Sequence, residues 1–299
     1  MRISTSRIIE YISGMRVEFN YLKTDAYGNS SEKSHFPLHT HAEDYEILFF
    51  ISGDGIILAE DNFYRISYGD IFIAKPGELH GMYFNNSCFS EHYYLYLPQN
   101  CFACLHHDAR SLFDSIGSHP RGMGNIIRLT APQVEEARTC LDQLREHAFD
   151  LNFSYSIESF TLLMRVLNIV CAASKAEAVP DPPLHEVLPS DFRDLLRYIN
   201  TNHSRIHRLE DIAGTMNMSE VHLSRLFKHY MGTTIMHYVR MRKLELAKER
   251  ILTGASVTDA CYSSGFDSYS HFITIFRKEY GMSPLEFRRD AIEKKKTAD

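Results

Sequence analysis

Cysteine is scarce and irregularly spaced in this chain of 299 residues, which contains only six. A disulfide framework would need paired cysteines in a short secreted chain, so we expect reduced thiols. Long apolar runs are also lacking, because no segment approaches the roughly 18 uninterrupted apolar residues that a membrane span requires. The first residues, MRISTSRIIEYIS, lack the apolar stretch of a secretory signal. These absences predict a cytoplasmic protein without a membrane partner.

Enzyme signatures are lacking as well. The chain has no nucleophile elbow, no glycine-rich loop that would cradle a phosphate, and no carboxylate pair tied to a substrate site. We therefore do not expect an enzyme.

Charge, in contrast, is abundant but unevenly placed. From residue 190 onward the chain has 18 Lys and Arg against 14 Asp and Glu, a net of +4, whereas the preceding residues have 14 against 24, a net of −10. A stretch with four prolines, SKAEAVPDPPLHEVLPS, lies between these halves, and proline interrupts helices and central strands. We predict an N-terminal domain over residues 1–175, a linker over 176–189 and a C-terminal domain over 190–299.

The C-terminal half nearly repeats itself. SEVHLSRLFKHYMG (219–232) lines up with SYSHFITIFRKEYG (268–281) at an offset of 49 residues. Each copy begins with a serine that can cap a helix, continues with apolar residues at helical spacing and stops at a glycine. A short amphipathic helix and a tight turn precede each copy. This is the plan of two helix-turn-helix units, in which the second helix of each unit enters the DNA major groove.

The outward faces of the two copies favour DNA binding over bundle scaffolding, which the periodicity alone would fit equally well. They carry hydrogen-bond donors and cations with almost no acid, as contacts to base edges and phosphates require. Lys228 and Arg277 lie where a phosphate is reached most easily. The helix Thr234–Leu252 between the copies spans about 28 Å. Such a connector can hold two recognition helices near the ~34 Å of one DNA turn, so double-stranded DNA is the expected partner.

At these residues the chain resembles a known family. LSRLFKHYMGTTIMHYVRMRKLELAKERIL, followed by VTDACYSSGFDSYSHFITIFRKEYGMSPLEFRR, is similar to the DNA-binding domain of the AraC/XylS transcription regulators. The resemblance covers residues 190–290 and makes RNA polymerase a further candidate partner. It also implies the groove-reading positions, which are Val221, His222, Ser224 and Arg225 in the first unit and Ser268, Tyr269, Ser270, His271 and Thr274 in the second.

The N-terminal half reads as a series of short strands. YEILFFI, GIILA, FYRI, DIFIA and HYYLYL are rich in β-branched and aromatic residues and are separated by turn sequences. We predict a small antiparallel β-barrel or jelly roll. The spacing of His39, His41, Glu46 and His80 resembles the signature of the cupin barrels. In cupins that hold a metal these residues are the ligands, so the resemblance implies a candidate site for a divalent transition metal.

An effector pocket is the alternative role for the same residues. Regulators of this family resemble the cupins in their sensing domain and often keep the histidines without a metal, holding an organic molecule inside the barrel. Aromatic side chains near the strands could stack on a sugar ring. We predict a small-molecule effector, with a sugar as the first candidate. The predicted pocket residues are His39, His41, Glu46, His80, Tyr45 and Phe72.

A helix with a narrow apolar seam follows the barrel. In APQVEEARTCLDQLREHAFD, Val134, Leu141 and Leu144 belong to a pattern with alternating steps of three and four residues, which is a heptad seam. A second copy of the chain or another helix of the same chain could bury it. The seam is a candidate homodimer interface.

Together these patterns predict an α+β fold, in which an N-terminal cupin-like β-barrel with a helical pair precedes an all-α tandem helix-turn-helix domain. The expected function is that of a sequence-specific transcription regulator whose operator binding a small-molecule effector controls. Two alternatives remain: a metal-dependent cupin enzyme fused to a DNA-binding domain, and a regulator controlled by a protein partner.

Overall fold

The computed structural model divides into two compact units, Met1–Leu184 and His185–Asp299. It describes residues 2–10, 16–24, 35–41, 44–53, 55–60, 62–84, 90–98, 119–149, 157–175 and 189–298. The predicted linker, 176–189, therefore lies outside the described residues except for Pro189.

Two antiparallel sheets form the framework of the first unit. The larger sheet has the strand order β1-β2-β9-β4-β7-β10, and the smaller sheet has the order β3-β8-β5-β6. The strands are β1 (Arg2–Glu10), β2 (Arg16–Thr24), β3 (His35–His39), β4 (Asp44–Ser52), β5 (Gly55–Ala59), β6 (Asn62–Ile66), β7 (Asp70–Ala74), β8 (His80–Phe84), β9 (Ser90–Pro98) and β10 (Ile126–Arg128).

The larger sheet is buried on both faces. Along β4, Ile47 and Phe49 point into a core shared with helices, whereas Leu48 and Phe50 point into the core between the two sheets. A strand with two buried faces needs apolar side chains at successive positions, which explains the unbroken run ILFFI. The two sheets close around the second core as the predicted small antiparallel barrel.

Two helices, α1 (Ala131–Phe149) and α2 (Ile157–Lys175), cover the outer face of the larger sheet. Val134, Leu141 and Leu144 are 5%, 0% and 1% exposed and belong to this core. A Cβ added at Gly69 would lie 2.4 Å from Val134 Cγ2, so the helix packs closely on the barrel. This corrects the assignment of the seam as a homodimer interface: the seam is buried within the chain, because it covers the outer face of the larger sheet.

Helix α2 is long and apolar enough, over Ile157–Ser174, to cross a membrane by length and composition alone. A core helix meets the same criterion. Leu163, Val166 and Val170 are buried against α1 and the sheet, which accounts for the apolar composition of α2.

The second unit is all helical in the residues described, so the predicted α+β fold class is confirmed. Helix α6 lies between the two predicted helix-turn-helix units along the chain. The helices are α3 (Ser190–Asn202), α4 (Leu209–Met216), α5 (Glu220–Met231), α6 (Ile235–Leu252), α7 (Val257–Ser263), α8 (Tyr269–Tyr280) and α9 (Pro284–Ala298).

The two copies of the repeat begin and end alike. The Ser219 hydroxyl accepts a hydrogen bond from the His222 backbone N–H at 3.2 Å, and Ser268 accepts one from His271 at 3.3 Å. Both α5 and α8 end at a glycine with positive φ, Gly232 (63°) or Gly281. Each cap satisfies a backbone group that the helix end leaves unpaired.

Helix α6 forms the centre of the second unit. Its Tyr238 ring packs 5.5 Å from the Phe227 ring of α5. On the other side the Lys243 ammonium donates to the Gly265 carbonyl at 2.7 Å, in the turn between α7 and α8. This one helix therefore contacts both helix-turn-helix units and sets their spacing.

Candidate functional site

A cluster of three histidines and one glutamate lies inside the barrel. His39 ends β3 and pairs with His80, the first residue of β8. His41 follows β3, and its carbonyl accepts a hydrogen bond from the Gly77 backbone N–H at 2.6 Å. Glu46 lies on β4, on the face that points between the sheets. Strand pairing thus brings together residues that are far apart in sequence.

The imidazole Nε2 atoms converge on a single carboxylate oxygen. Glu46 Oε2 lies 2.8 Å from His41, 2.9 Å from His80 and 3.5 Å from His39. The four ligand atoms of the cluster all lie within 4.8 Å of one another. All four residues predicted from the sequence as metal ligands are therefore brought together.

The electrostatics of the cluster favour a negative Glu46. Burial alone would raise the pKa of this carboxyl, but hydrogen bonds from His39, His41 and His80 outweigh it and hold the pKa well below its usual range. Burial and the negative charge of Glu46 raise the pKa of the neighbouring Tyr96 phenol. The buried Glu46 carboxylate therefore lies beside a neutral Tyr96 phenol.

Glu78 lies next to the cluster and contacts His80 through its backbone carbonyl. His80 Nδ1 lies 2.8 Å from the Glu78 carbonyl. The Glu78 carboxylate accepts hydrogen bonds from the backbone N–H groups of Lys75 (2.9 Å) and Gly122, and from the Asn125 amide (2.7 Å). This fully buried carboxylate joins the turn before His80 to the segment that leads into β10.

The side chain of Lys75 also binds the segment that leads into β10. The Lys75 ammonium donates to the carbonyls of His119, Pro120 and Met123 at 2.9, 2.9 and 3.0 Å. Burial lowers the pKa of Lys75. Lys75 and Glu78 thus hold residues 119–125 against the rim of the barrel and keep the wall next to His80 in place.

A cavity of about 60 Å³ opens beside the cluster. Its lining is polar at the end formed by the cluster and mainly apolar elsewhere. The lining residues are His39, Glu46, Leu48, Ile57, Phe72, His80, Gly81, Met82, Tyr94 and Tyr96.

The lining differs from the predicted pocket at two positions. His41 belongs to the cluster but does not line the cavity. Tyr45 packs against the core on the helix side of β4, because alternation places it opposite Glu46. Sequence reasoning missed Tyr94 and Tyr96, although their spacing of two along HYYLYL would have placed them on one face.

In the second unit, the predicted DNA-reading residues of α5 lie outside its buried face. Leu223 and Phe227 are fully buried, whereas Val221 is 68% exposed. His222, Ser224, Arg225 and Lys228 are also exposed. His222 Nε2 lies 3.8 Å from an Asp191 carboxylate oxygen on α3, a neighbour that the helical pattern of α5 could not reveal.

The corresponding face of α8 repeats this arrangement. Phe272 and Phe276 are fully buried. Tyr269 is half-buried, and the Thr274 hydroxyl donates to the Ser270 carbonyl at 3.0 Å. The exposed residues of this face that the sequence predicted are Ser268, Ser270, His271, Thr274 and Arg277.

Both units match described protein families. Residues 22–167 match the AraC-like ligand binding domain, and residues 212–290 match a helix-turn-helix domain. The first match contains the cavity and its cluster, and the second contains α5 and α8.

Similar proteins exist over most of the chain. The HTH-type transcriptional activator RhaR of Yersinia pestis bv. Antiqua (strain Angola) is 26% identical over 273 residues, which are 88% of each chain. RhaS of Enterobacter sp. (strain 638), another HTH-type transcriptional activator, is 28% identical over 86% of this chain and 89% of its own. The solved C-terminal domain of AraT, a response regulator from Geobacillus stearothermophilus, is 30% identical over 34% of this chain and 87% of its own, with a TM-score of 0.33.

Proposed function

The chain belongs to the AraC family of transcription regulators, and we propose that α5 and α8 read operator DNA under the control of an effector in the barrel cavity. The relatives above are named transcriptional activators. We extend transcriptional activation to this chain, which makes RNA polymerase a proposed partner. A regulator that binds operator DNA is expected to act in the cytoplasm.

The repeated recognition face is the observation that supports DNA reading. Helices α5 and α8 have the same serine cap, the same glycine stop and buried aromatic residues at equivalent positions, Phe227 and Phe276. Apart from Val221 and the acidic Glu220 and Glu279, the exposed residues of both helices are polar or cationic. Two such helices on one connector, α6, suit successive major grooves of a duplex.

Position along the helix separates two kinds of contact. Arg225 projects from the first half of α5, and its planar guanidinium can bind a guanine edge with two hydrogen bonds. Lys228 and Arg277 lie further along their helices, where contacts to phosphates are expected. Base contacts carry sequence preference, whereas phosphate contacts strengthen binding to any sequence.

Operator titrations test this division. Tight sites would be selected from random duplex DNA with the full chain and then titrated at several salt concentrations. Arg225→Ala should cost about 1 to 3 kcal/mol on the selected operator and relax preference at one base position. Lys228→Ala should weaken all sequences alike and reduce the salt slope by about one unit.

The matched control is Arg197→Ala, which removes an exposed arginine of α3 outside both recognition helices. It should leave the base preference unchanged. Equal loss on selected and random DNA for Arg225→Ala would reject the assignment of α5 as a reading helix.

The cavity is the proposed effector site. It has polar groups at one end and apolar walls elsewhere, as small-molecule sites commonly do. Sugars are the first compounds to screen, by thermal shift with the full chain, because a ligand that binds only the folded state raises its melting temperature. At about 100 times its dissociation constant, a ligand should add about 2.7 kcal/mol of stability.

Two phenylalanines on adjacent strands provide the test of location. Phe72→Ala and Phe49→Ala each remove a buried ring, but only Phe72 lines the cavity. The thermal shift from a hit should shrink in Phe72→Ala and persist in Phe49→Ala. Equal shifts in both variants would place the effector elsewhere.

A further inference from the structure

The turn between α7 and α8 contacts the segment that leads into the first helix-turn-helix unit. The backbone of Gly265 lies so close to the Ser204 carbonyl that a Cβ added at Gly265 would collide with it. Ser204 belongs to the 3₁₀ turn His203–Arg205, which precedes α4, the first helix of that unit. The two units therefore meet at a second place besides α6.

A side-chain contact lies beside this backbone contact. His207 Nδ1 is 2.9 Å from an Asp267 carboxylate oxygen. The His207 backbone N–H donates to Asp211 of α4 at 2.8 Å, and Asp267 directly precedes Ser268, the cap of α8. The contact therefore joins the start of α4 to the start of α8. Because both side chains are substantially exposed, it adds little to overall stability.

Lys243 holds the same turn from the side of α6. Its residue is only 7% exposed, and its ammonium donates to the Gly265 carbonyl at 2.7 Å. A hydrogen bond from a charged donor is stronger than one from a neutral donor. The neighbouring Phe266 ring packs 5.0 Å from the Phe272 ring of α8. The position of the turn thus determines the position of α8.

A shared helix does not by itself fix how two units are turned relative to each other. A unit that contacts its neighbour at one place can pivot about it, whereas contacts at separate places remove that freedom. Two linked binding modules gain affinity over either module only where their geometry permits simultaneous engagement. Modules that already have the bound arrangement also lose less entropy on binding.

We propose that the contacts of the α7–α8 turn with residues 203–207 and with Lys243 hold α5 and α8 in the arrangement that reads two successive major grooves. Lys243 and His207 are therefore positioning residues, which act through the turn and need no contact with DNA themselves. This role rests on the proposed function, since it requires that α5 and α8 read DNA.

Lys243→Met tests the contact on the side of α6. Methionine keeps a long side chain at the buried position but cannot donate to the Gly265 carbonyl. Binding by the full chain would be measured on the selected operator, on each half-site alone, and on operators lengthened or shortened by one base pair.

The operator and its half-sites should respond differently to Lys243→Met. Two linked modules gain about 10²- to 10⁴-fold in affinity, so we expect the operator affinity to fall by about 10-fold or more while each half-site alone changes by less than about twofold. The dependence on spacing should flatten. Equal loss on the operator and on the half-sites would mean that Lys243 only stabilises the fold, and it would overturn the positioning role.

His207→Ala is a second variant that should fold normally, because its side chain is half exposed. It should change the same comparison in the same direction by a smaller factor. Asp194→Ala is the matched control, since it removes one member of an exposed pair, Arg197–Asp194 at 3.2 Å, that lies within α3. The control should keep the spacing dependence of the wild type. Unchanged spacing dependence in both Lys243→Met and His207→Ala would overturn the proposal.

A distance measurement without DNA separates this role from the proposed function. Spin labels would be introduced with unnatural amino acids at Ser224 of α5 and Ser270 of α8, both of which are exposed. We expect a narrow distance distribution in the wild type that broadens in Lys243→Met. A wild-type distribution that is already as broad as that of the variant would overturn the proposal. The expected broadening in a chain that selects no operator would support the fixed arrangement and count against the proposed function alone.

Discussion

Gly265 occupies a position that admits no side chain. It lies in the turn between α7 and α8 with a φ of 89°, and an added Cβ would lie 2.0 Å from the Ser204 carbonyl oxygen. Its own carbonyl accepts the hydrogen bond from Lys243 of α6. This residue therefore determines how closely the second helix-turn-helix unit approaches the rest of its domain.

Replacing Gly265 with Ala should be far more costly than a similar change at Gly281. The two glycines share a positive φ, but nothing lies within 4 Å of a Cβ at Gly281. Gly281→Ala should cost about 1 to 2 kcal/mol of stability from backbone strain alone. Gly265→Ala adds a backbone collision and should exceed about 3 kcal/mol. Urea unfolding followed by far-UV circular dichroism would compare them, and equal costs would argue against the close contact with Ser204.

At the scale of elements, the heptad pattern of α1 is buried inside one chain and not between two chains. Val134, Leu141 and Leu144 recur as a coiled-coil seam would. In the structure these residues pack against the larger sheet and against α2. The polar groups Arg138 and Asp142 pair on the outer side of the helix. The helix thus serves as the cover of the sheet.

A charge in the middle of this seam should unfold the barrel unit. Leu141→Asp places a carboxylate where the side chain is fully buried, and it should cost more than about 4 kcal/mol. Gln143→Asp, on the exposed side of α1, should have little effect. Circular dichroism and light scattering would report stability and mass. A Leu141→Asp protein of normal stability and halved mass would restore the seam as a dimer interface.

At the scale of the whole molecule, an acidic sensing unit precedes a basic DNA-binding unit, and the second unit contains its own duplication. Helix α6, with 18 residues, extends about 27 Å between the two helix-turn-helix units. Contacts at Tyr238 and Lys243 fix it to both units. A rigid connector makes DNA binding dependent on the distance between the two half-sites.

Inserting about five base pairs between the half-sites should therefore abolish tight binding, because half a helical turn moves one major groove to the opposite side of the duplex. Replacing the spacer with another sequence of equal length is the control and should be tolerated. Gel-shift titration with the full chain would measure both. Tolerance of the insertion would show that the two units do not bind as one rigid pair.

Local patterns in the sequence by themselves determined the DNA-binding half. The serine caps, glycine stops and buried positions of α5 and α8 depend on residues three or four positions apart, and helices are specified at that range. The candidate ligands His39, His41, Glu46 and His80 were identified by their resemblance to the cupin signature instead, since His80 lies 34 residues beyond Glu46.

Only the tertiary structure decided which part of the molecule packs against each of the faces that these patterns define. A heptad stripe states that one face of α1 is buried but does not state what covers it, so the choice between a second chain and the sheet was open. In β4 both faces are apolar, and the alternation separates Tyr45 from Glu46 without revealing which of them faces the cavity. That choice depends on the packing of the two sheets and the helices, which involves residues far apart in the chain.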